Sequence, residues 1–494
     1  GVRAAAGTAT TPDMGSDGFG GGAGGASAEA RRPAAFARDL GRGSAAPFRS
    51  GGGWPGGAAP GRRQAPHRLV VTGDEADRVK VDVLDSGVRV LTGFEPQARS
   101  AVIGFWVPVG SRDESPGEHG STHFLEHLLF KGTKTRSAMD IAVAFDSVGG
   151  EFNANTSKES TCYYARVLRR DLELAVDILA DMVTSATIDR LDFENERGVI
   201  LDELAMNADD PVDVAHEAFA AAVFGDHPLA RPISGRPEDI RAVTRDQVWD
   251  HYQRYYTPSR LIVTAGGDVD AAELTAVLDK ALERGGWGAE KLGTTSPIGR
   301  RPVEPEVALP AKGSVESLAK TTEQAQVLIG CEGLVATDPR RHAMSVLATA
   351  LGGGMSSRLF QEIRERRGLA YSTYCFVSPH SDAGLFGLFA GCAPMAVAEV
   401  SDLMEAEWAR LAAAGLTSEE LERAKGQLRG STLLSLEDPY STMNRLGRAE
   451  ILMGELPSAS EVVARIEAVT AAEVQSLAAD LAARPRSRVV VGPA

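Results

Sequence analysis

The chain has 494 residues, 43% of them apolar and 24% charged, which suits an ordinary globular protein of two or three domains. A formal charge of −15 argues against a general nucleic-acid binder and against adhesion to an anionic membrane. No stretch approaches the roughly eighteen consecutive apolar residues that span a bilayer, and the four cysteines (Cys162, Cys331, Cys375, Cys392) form no C-x-x-C pair. They read as buried thiols, and the expectation is a cytoplasmic protein.

In chain order, residues 1–66 are rich in Gly, Ala, Pro and Ser and show no sustained apolar period, so a disordered extension is expected. Val79–Leu84 and Val88–Thr92 are β-rich runs separated by Asp85-Ser86-Gly87, a hairpin signal. Ser100–Val109 predicts a further strand. Helical patterns cover His119–Phe130 and Ala138–Val148, Gly149-Gly150 ends the second, and Thr161–Val167 alternates as a strand. Helices are expected at Asp171–Thr184, Leu191–Ala208, Val212–Phe224 and Ala271–Glu283, with a strand at Ser259–Ala265. Residues 297–320 are proline-rich and read as a linker. Beyond it come a strand at Gln324–Gly330, helices at Arg341–Leu351 and Ser356–Arg364, and strands at Tyr371–Val377 and Gly384–Ala390. Long helices then cover about 395–414 and 418–435.

The two halves repeat. Ile240, Val243, Thr244 and Val248 match Ile466, Val469, Thr470 and Val474 at a shift of 226, Glu196-Arg197 matches Glu422-Arg423 at the same shift, and Asp210-Pro211 matches Asp438-Pro439 at 228. A period this long is a domain duplication. The expected fold is α+β: two tandem, similar domains (67–296 and 321–494), each a mostly antiparallel sheet packed with helices.

Chemistry concentrates in Ser121-Thr-His-Phe-Leu-Glu-His-Leu-Leu-Phe-Lys-Gly-Thr133. On a helix His123 and His127 are four apart and project from one face, a spacing that lets both imidazoles reach one zinc ion. Glu126 can lie beside the metal without ligating it and take a proton from zinc-bound water. The order H-x-x-E-H mirrors that of the H-E-x-x-H enzymes, and with only nine histidines in the chain a chance occurrence is rare. A catalytic zinc usually has three protein ligands. Glu196 and Glu203 share one face of the Leu191–Ala208 helix, and spacing alone leaves either as the third. Gly352-Gly353-Gly354 is followed by no Lys-Ser/Thr and reads as a turn, not a phosphate loop.

These segments resemble the pitrilysin/insulinase family of inverted-zincin metallopeptidases, and within it the mitochondrial-processing-peptidase-like bacterial branch. The resemblance also rests on Gly149-Gly-Glu-Phe-Asn-Ala-Asn-Thr156, Glu196-Arg-Gly-Val-Ile-Leu-Asp-Glu203 and Arg367-Gly-Leu-Ala-Tyr-Ser372, and covers about residue 80 to the end. It implies one zinc per chain on His123, His127 and Glu203, with Glu126 as general base and Glu196 supporting the site. It implies that Glu151, Phe152, Asn153 and Ala154 belong to an edge strand that pairs with an extended peptide. Arg364 and Tyr371 resemble a pair that contacts substrate and polarises the scissile carbonyl, here across a dimer interface. The second half carries no such metal set, since Arg429 stands at the 226 shift from Glu203. The implied activity is a zinc metalloendopeptidase acting on peptides or unfolded segments. The partner would be a second copy of the chain, or an inactive paralogue. The alternative is a non-catalytic binding subunit of a peptidase heterodimer.

Overall fold

The run Ser-Ala-Val-Ile-Gly-Phe-Trp-Val has few residues that tolerate water, and it becomes a central strand buried along almost its whole length. The computed structural model describes residues 69–288, 296–305 and 307–493; the extension expected over 1–66 lies outside them. The first half supplies β1 (Val70–Val71), β2 (Val79–Val83), β3 (Arg89–Phe94), β4 (Ser100–Val107), β5 (Glu151–Thr156), β6 (Thr161–Leu168) and β7 (Ile262–Gly267). The second supplies β8 (Val315–Ala319), β9 (Ala325–Glu332), β10 (Ala370–Pro379), β11 (Gly384–Cys392), β12 (Glu455–Leu456) and β13 (Arg486–Gly492). One sheet runs β2-β3-β7-β4-β6-β5 and the other β10-β11-β9-β13-β8. In these two sheets only β3–β7 and β8–β13 are parallel, so each is mostly antiparallel, and helices cover both. The fold is the expected α+β pair of similar halves.

Two of the three sequence repeats include duplicated helix starts, while Glu196-Arg197 and Glu422-Arg423 lie inside the helices Arg190–Asp209 and Ser418–Ser435. Thr244 with Gln247 and Thr470 with Glu473 form capping boxes that open the helices Arg245–Tyr255 and Ala471–Ala483. Asp210 and Asp438 each accept a backbone N–H at the start of Pro211–Phe224 and Pro439–Arg448, with proline at the first helical position, where its missing N–H costs nothing. These last two helices cross between halves. Pro211–Phe224 packs Ala215, Phe219 and Phe224 against Leu328, Phe389 and Val489 of the second sheet. Pro439–Arg448 packs Met443 and Leu446 against Leu91, Val102 and Ile262 of the first, and its Met443 carbonyl accepts from Thr264 at 3.0 Å. The β1–β12 pairing is a third cross-link.

Two expectations need correction. The end of the proline-rich 297–320 stretch is not linker: Val315–Ala319 alternates in exposure and lies parallel to β13 as an edge strand. The helix expected over Ser356–Arg364 contains a π-helical turn at Phe360–Glu365, where the wider ring lets the chain turn into β10. Among the described residues, no helix is long and apolar enough to cross a membrane.

A buried ion cluster joins the halves. Arg112 donates to both carboxylate oxygens of Asp382 at 2.7 Å each and to Glu159 at 2.7 Å. Glu159 also accepts from the Ser381 hydroxyl at 2.5 Å and faces His380 and Arg301. Burial alone would raise the Asp382 carboxyl; the hydrogen bonds of Arg112 and His227 outweigh it and hold its pKa at about 2. A depressed carboxylate stabilises the fold above its unfolded pKa of about 3.9 and stops doing so as pH falls through its folded value. Wild-type protein should therefore lose stability between about pH 4 and about pH 2, and Asp382→Asn should lose less across that window in urea denaturation at stepped pH. Equal pH slopes would remove Asp382 from this role. Arg112→Ala, which removes the cation shared by both buried carboxylates and leaves Asp382 with His227 and Glu159 with Arg301 and His380, should cost up to about 3–5 kcal/mol by the same assay.

Candidate metal centre

All nine residues of the helix Ser121–Leu129 are buried, so its position is set by packing. Leu125, Leu128 and Leu129 enter the core of the first half. Phe124 stacks face to face on Phe193 of the helix Arg190–Asp209, with ring centroids 4.4 Å apart. The Arg197 guanidinium lies 4.8 Å from the Phe193 ring, while its Nη1 donates to the Val243 carbonyl at 3.0 Å. This stack registers the two helices. Glu196 and Glu203 then stand opposite His123 and His127.

The side chains converge on one point. Glu203 Oε2 is 3.5 Å from His127 Nε2 and 3.7 Å from His123 Nε2. A tetrahedral ion with bonds of about 2.0–2.1 Å separates its ligand atoms by roughly 3.4 Å, so the spacing fits zinc. Among the described residues this is the one group of three His, Cys, Asp or Glu side chains that could hold a metal. The second glutamate does something different: Glu196 Oε2 sits 3.1 Å from His127 Nδ1, and its Oε1 is 2.7 Å from Lys131 Nζ. A carboxylate behind the far nitrogen fixes the imidazole tautomer and ring orientation. Among the described residues His123 Nδ1 has no such partner.

The charges respond accordingly. Burial opposes protonation of His127, but the hydrogen bonds of Glu196 and Glu203 outweigh it and raise its pKa to about 9. Burial likewise opposes ionisation of Glu203, yet His127 and then His123 hold its pKa at about 2. His123 is pushed down by burial. The Glu196 and Glu203 carboxylates thus favour positive charge at His127, while burial disfavours it on His123.

Glu126 is buried beside the cluster and accepts from the Thr156 hydroxyl at 2.5 Å on Oε2. Thr156 ends β5, one of the two outer strands of the six, so the strand carrying Glu151, Phe152, Asn153 and Ala154 has an unpaired outer edge among the described residues. Phe152 stacks on Phe145 at 4.4 Å, and the Ala154 N–H donates to Asn153 Oδ1 at 2.8 Å. Arg364 and Tyr371 meet each other in the second half: Arg364 Nη1 donates to the Tyr371 carbonyl at 2.9 Å and its guanidinium lies 4.8 Å from the Tyr371 ring. The Tyr371 side chain is exposed.

Sequence reasoning missed Lys131 and Thr156. Lys131 lies just past the C-cap of the helix, in the turn after Phe130, where no helical spacing points to it. Thr156 had no signal either, because its contact with Glu126 crosses from strand to helix.

Comparison with known proteins places this geometry. Residues 89–236 match the family described as insulinase (peptidase family M16), and residues 242–428 match the peptidase M16 inactive domain. Relatives bearing the name uncharacterized zinc protease include one from Streptomyces coelicolor, 48% identical over 419 residues, covering 84% of this chain and 90% of the relative. Another, from Mycobacterium tuberculosis, is 45% identical over 413 residues (83% and 92%), and one from Bacillus subtilis is 36% identical over 415 (84% and 98%). The crystal structure of a protease from Helicobacter pylori superposes with a TM-score of 0.75 at 20% identity, covering 84% of this chain and 99% of that one. A peptidase M16 inactive domain from Pseudomonas fluorescens superposes with a TM-score of 0.74, again at 20% identity, covering 84% and 98%. The chain belongs to the pitrilysin/insulinase (M16) family of peptidases.

Proposed function

We propose that this protein is a zinc metalloendopeptidase that hydrolyses peptides or unfolded segments, with one zinc per chain on His123, His127 and Glu203. The observation that carries the reading is the convergence of two imidazole Nε2 atoms on one Glu203 oxygen. Zinc held there would supply Lewis acidity toward water and toward a peptide carbonyl. Glu126, held through Oε2 by Thr156, keeps Oε1 for a proton taken from the attacking water and passed to the departing amine. Glu196 keeps His127 Nε2 turned toward Glu203, and Lys131 steadies Glu196. The outer edge of β5, with Glu151, Phe152, Asn153 and Ala154, would take the substrate backbone as an added strand, which gives affinity with little demand on sequence.

Arg364 and Tyr371 pair with each other in the second half, and a second chain facing the cluster would bring such a pair to the scissile carbonyl. A homodimer supplies it, and an inactive paralogue could do the same. The net charge of −15 favours basic peptides, and four free thiols support a reducing, cytoplasmic setting.

The purified protein should contain one zinc per chain and cleave an unstructured, internally quenched peptide, with chelator abolishing cleavage. Protein with neither zinc nor cleavage would instead be a binding subunit. Glu126→Gln should keep its zinc and lose about 10²–10⁴-fold in kcat; wild-type activity in that variant would end the general-base assignment. Glu196→Gln should weaken zinc about 10–100-fold in competition with a chromogenic chelator. An unchanged affinity would show that Glu196 does not orient His127.

A further inference from the structure

An α-helix leaves its first N–H groups without partners inside the helix, and the residue just before it usually supplies a side-chain oxygen. The helix bearing His123, Glu126 and His127 has no such residue. Its N-cap is Gly120, held at φ 86°, and a Cβ there would come within 2.5 Å of Ile240 Cδ1. The left-handed backbone and this contact disfavour a side chain at the position where a cap is needed, and Gly120 itself offers none.

The missing acceptor comes from upstream. Glu114 Oε2 accepts the Gly120 N–H at 2.8 Å, and Glu114 Oε1 accepts the Thr122 N–H at 2.8 Å. The Ser121 N–H between them goes to the Glu118 carbonyl at 3.0 Å. Glu114 is 3% exposed and no ion pair joins its carboxylate to a described residue; Arg231 donates to its main-chain carbonyl instead, at 2.8 Å. Burial raises the Glu114 carboxyl to about 8 against the pull of the two N–H donors. A buried carboxylate is costly, and here its compensation is the positive end of a helix together with the nearby Arg231 charge.

We propose that Glu114 is a positioning residue for the metal centre, clamping the first turn of the Ser121–Leu129 helix so that His123, Glu126 and His127 stand in register with Glu203; this rests on the zinc-peptidase reading above. The helix has nine residues, too few to hold itself by propensity, so its end contacts matter to its register. Thr122, one of the two clamped residues, directly precedes His123. The clamp is itself anchored: Glu114 directly follows the Ser111–Asp113 turn, whose Arg112 is bound into the ion cluster between the halves. The start of the metal helix is thereby referenced to the junction with the second half.

The test compares full-length wild type, Glu114→Ala, Glu114→Gln and Glu126→Gln. Readouts are zinc affinity against a chromogenic chelator, kcat and KM on the quenched peptide, circular dichroism at the assay temperature and the unfolding midpoint of metal-free protein. Glu114→Ala should weaken zinc about 10–100-fold and lower kcat with KM unchanged, while its circular dichroism matches wild type. Glu114→Gln keeps one acceptor oxygen and turns an amide donor toward the second N–H, so it should fall between the two. Glu126→Gln should lose kcat alone. A folded Glu114→Ala with wild-type zinc affinity and kcat, altered only in its unfolding midpoint, would reduce Glu114 to a structural cap and overturn the inference. If Glu114→Ala does not fold, Glu114→Gln decides, and wild-type zinc affinity and kcat there overturn it equally. A wild type without zinc or cleavage would overturn the peptidase reading itself, and this inference with it.

Discussion

The stack of Phe124 on Phe193 is the contact on which the candidate centre depends. Each aromatic belongs to a different helix, and each helix carries half of the polar cluster. Such a pair is worth about 0.5–1.5 kcal/mol beyond the area it buries. Its larger effect is geometric, because a flat ring against a flat ring fixes both separation and rotation. With Arg197 lying over the Phe193 ring and tied to the Val243 carbonyl, the Arg190–Asp209 helix cannot slide without breaking a charge-assisted hydrogen bond. Two carboxylates one helical face apart are thereby given different tasks. Glu203 meets the Nε2 atoms, and Glu196 meets the back of one ring.

The two halves depend on each other in a way that a tandem description hides. Each lends a helix to the other's sheet, and both loans begin with the same Asp-Pro pair. Neither half can bury the outer face of its own sheet alone, so the duplication is stable as a pair. The ion cluster of Arg112, Glu159 and Asp382 lies at the same junction, and removal of Arg112 takes from both buried carboxylates the one cation they share.

Duplication also shows where the halves diverged. Arg429, at the position matching Glu203, forms a surface ion pair with Glu467 at 2.7 Å. A cationic side chain there repels a metal instead of ligating it. One half keeps the electrostatics of a cation site, and the other has turned the same helix face into an ordinary solvated surface.

Local sequence was enough for much of this. The i, i+4 histidines, the Asp-Pro and Thr-x-x-Glu/Gln helix starts, and most strands are short-range signals, because helix periodicity, capping and β-alternation are short-range physics. Resemblance of motifs, not spacing, separated Glu203 from Glu196. Alternation in Val315–Ala319 was obscured by the prolines before it, and the π-helical turn at Phe360–Glu365 has no periodic signature of its own. Tertiary structure alone decided that Thr156 reaches Glu126 and that helices cross between halves. It alone showed that Glu114 closes a helix whose own cap is a glycine. Each of these joins residues whose meeting depends on how whole elements pack, and no window of neighbouring residues carries that information.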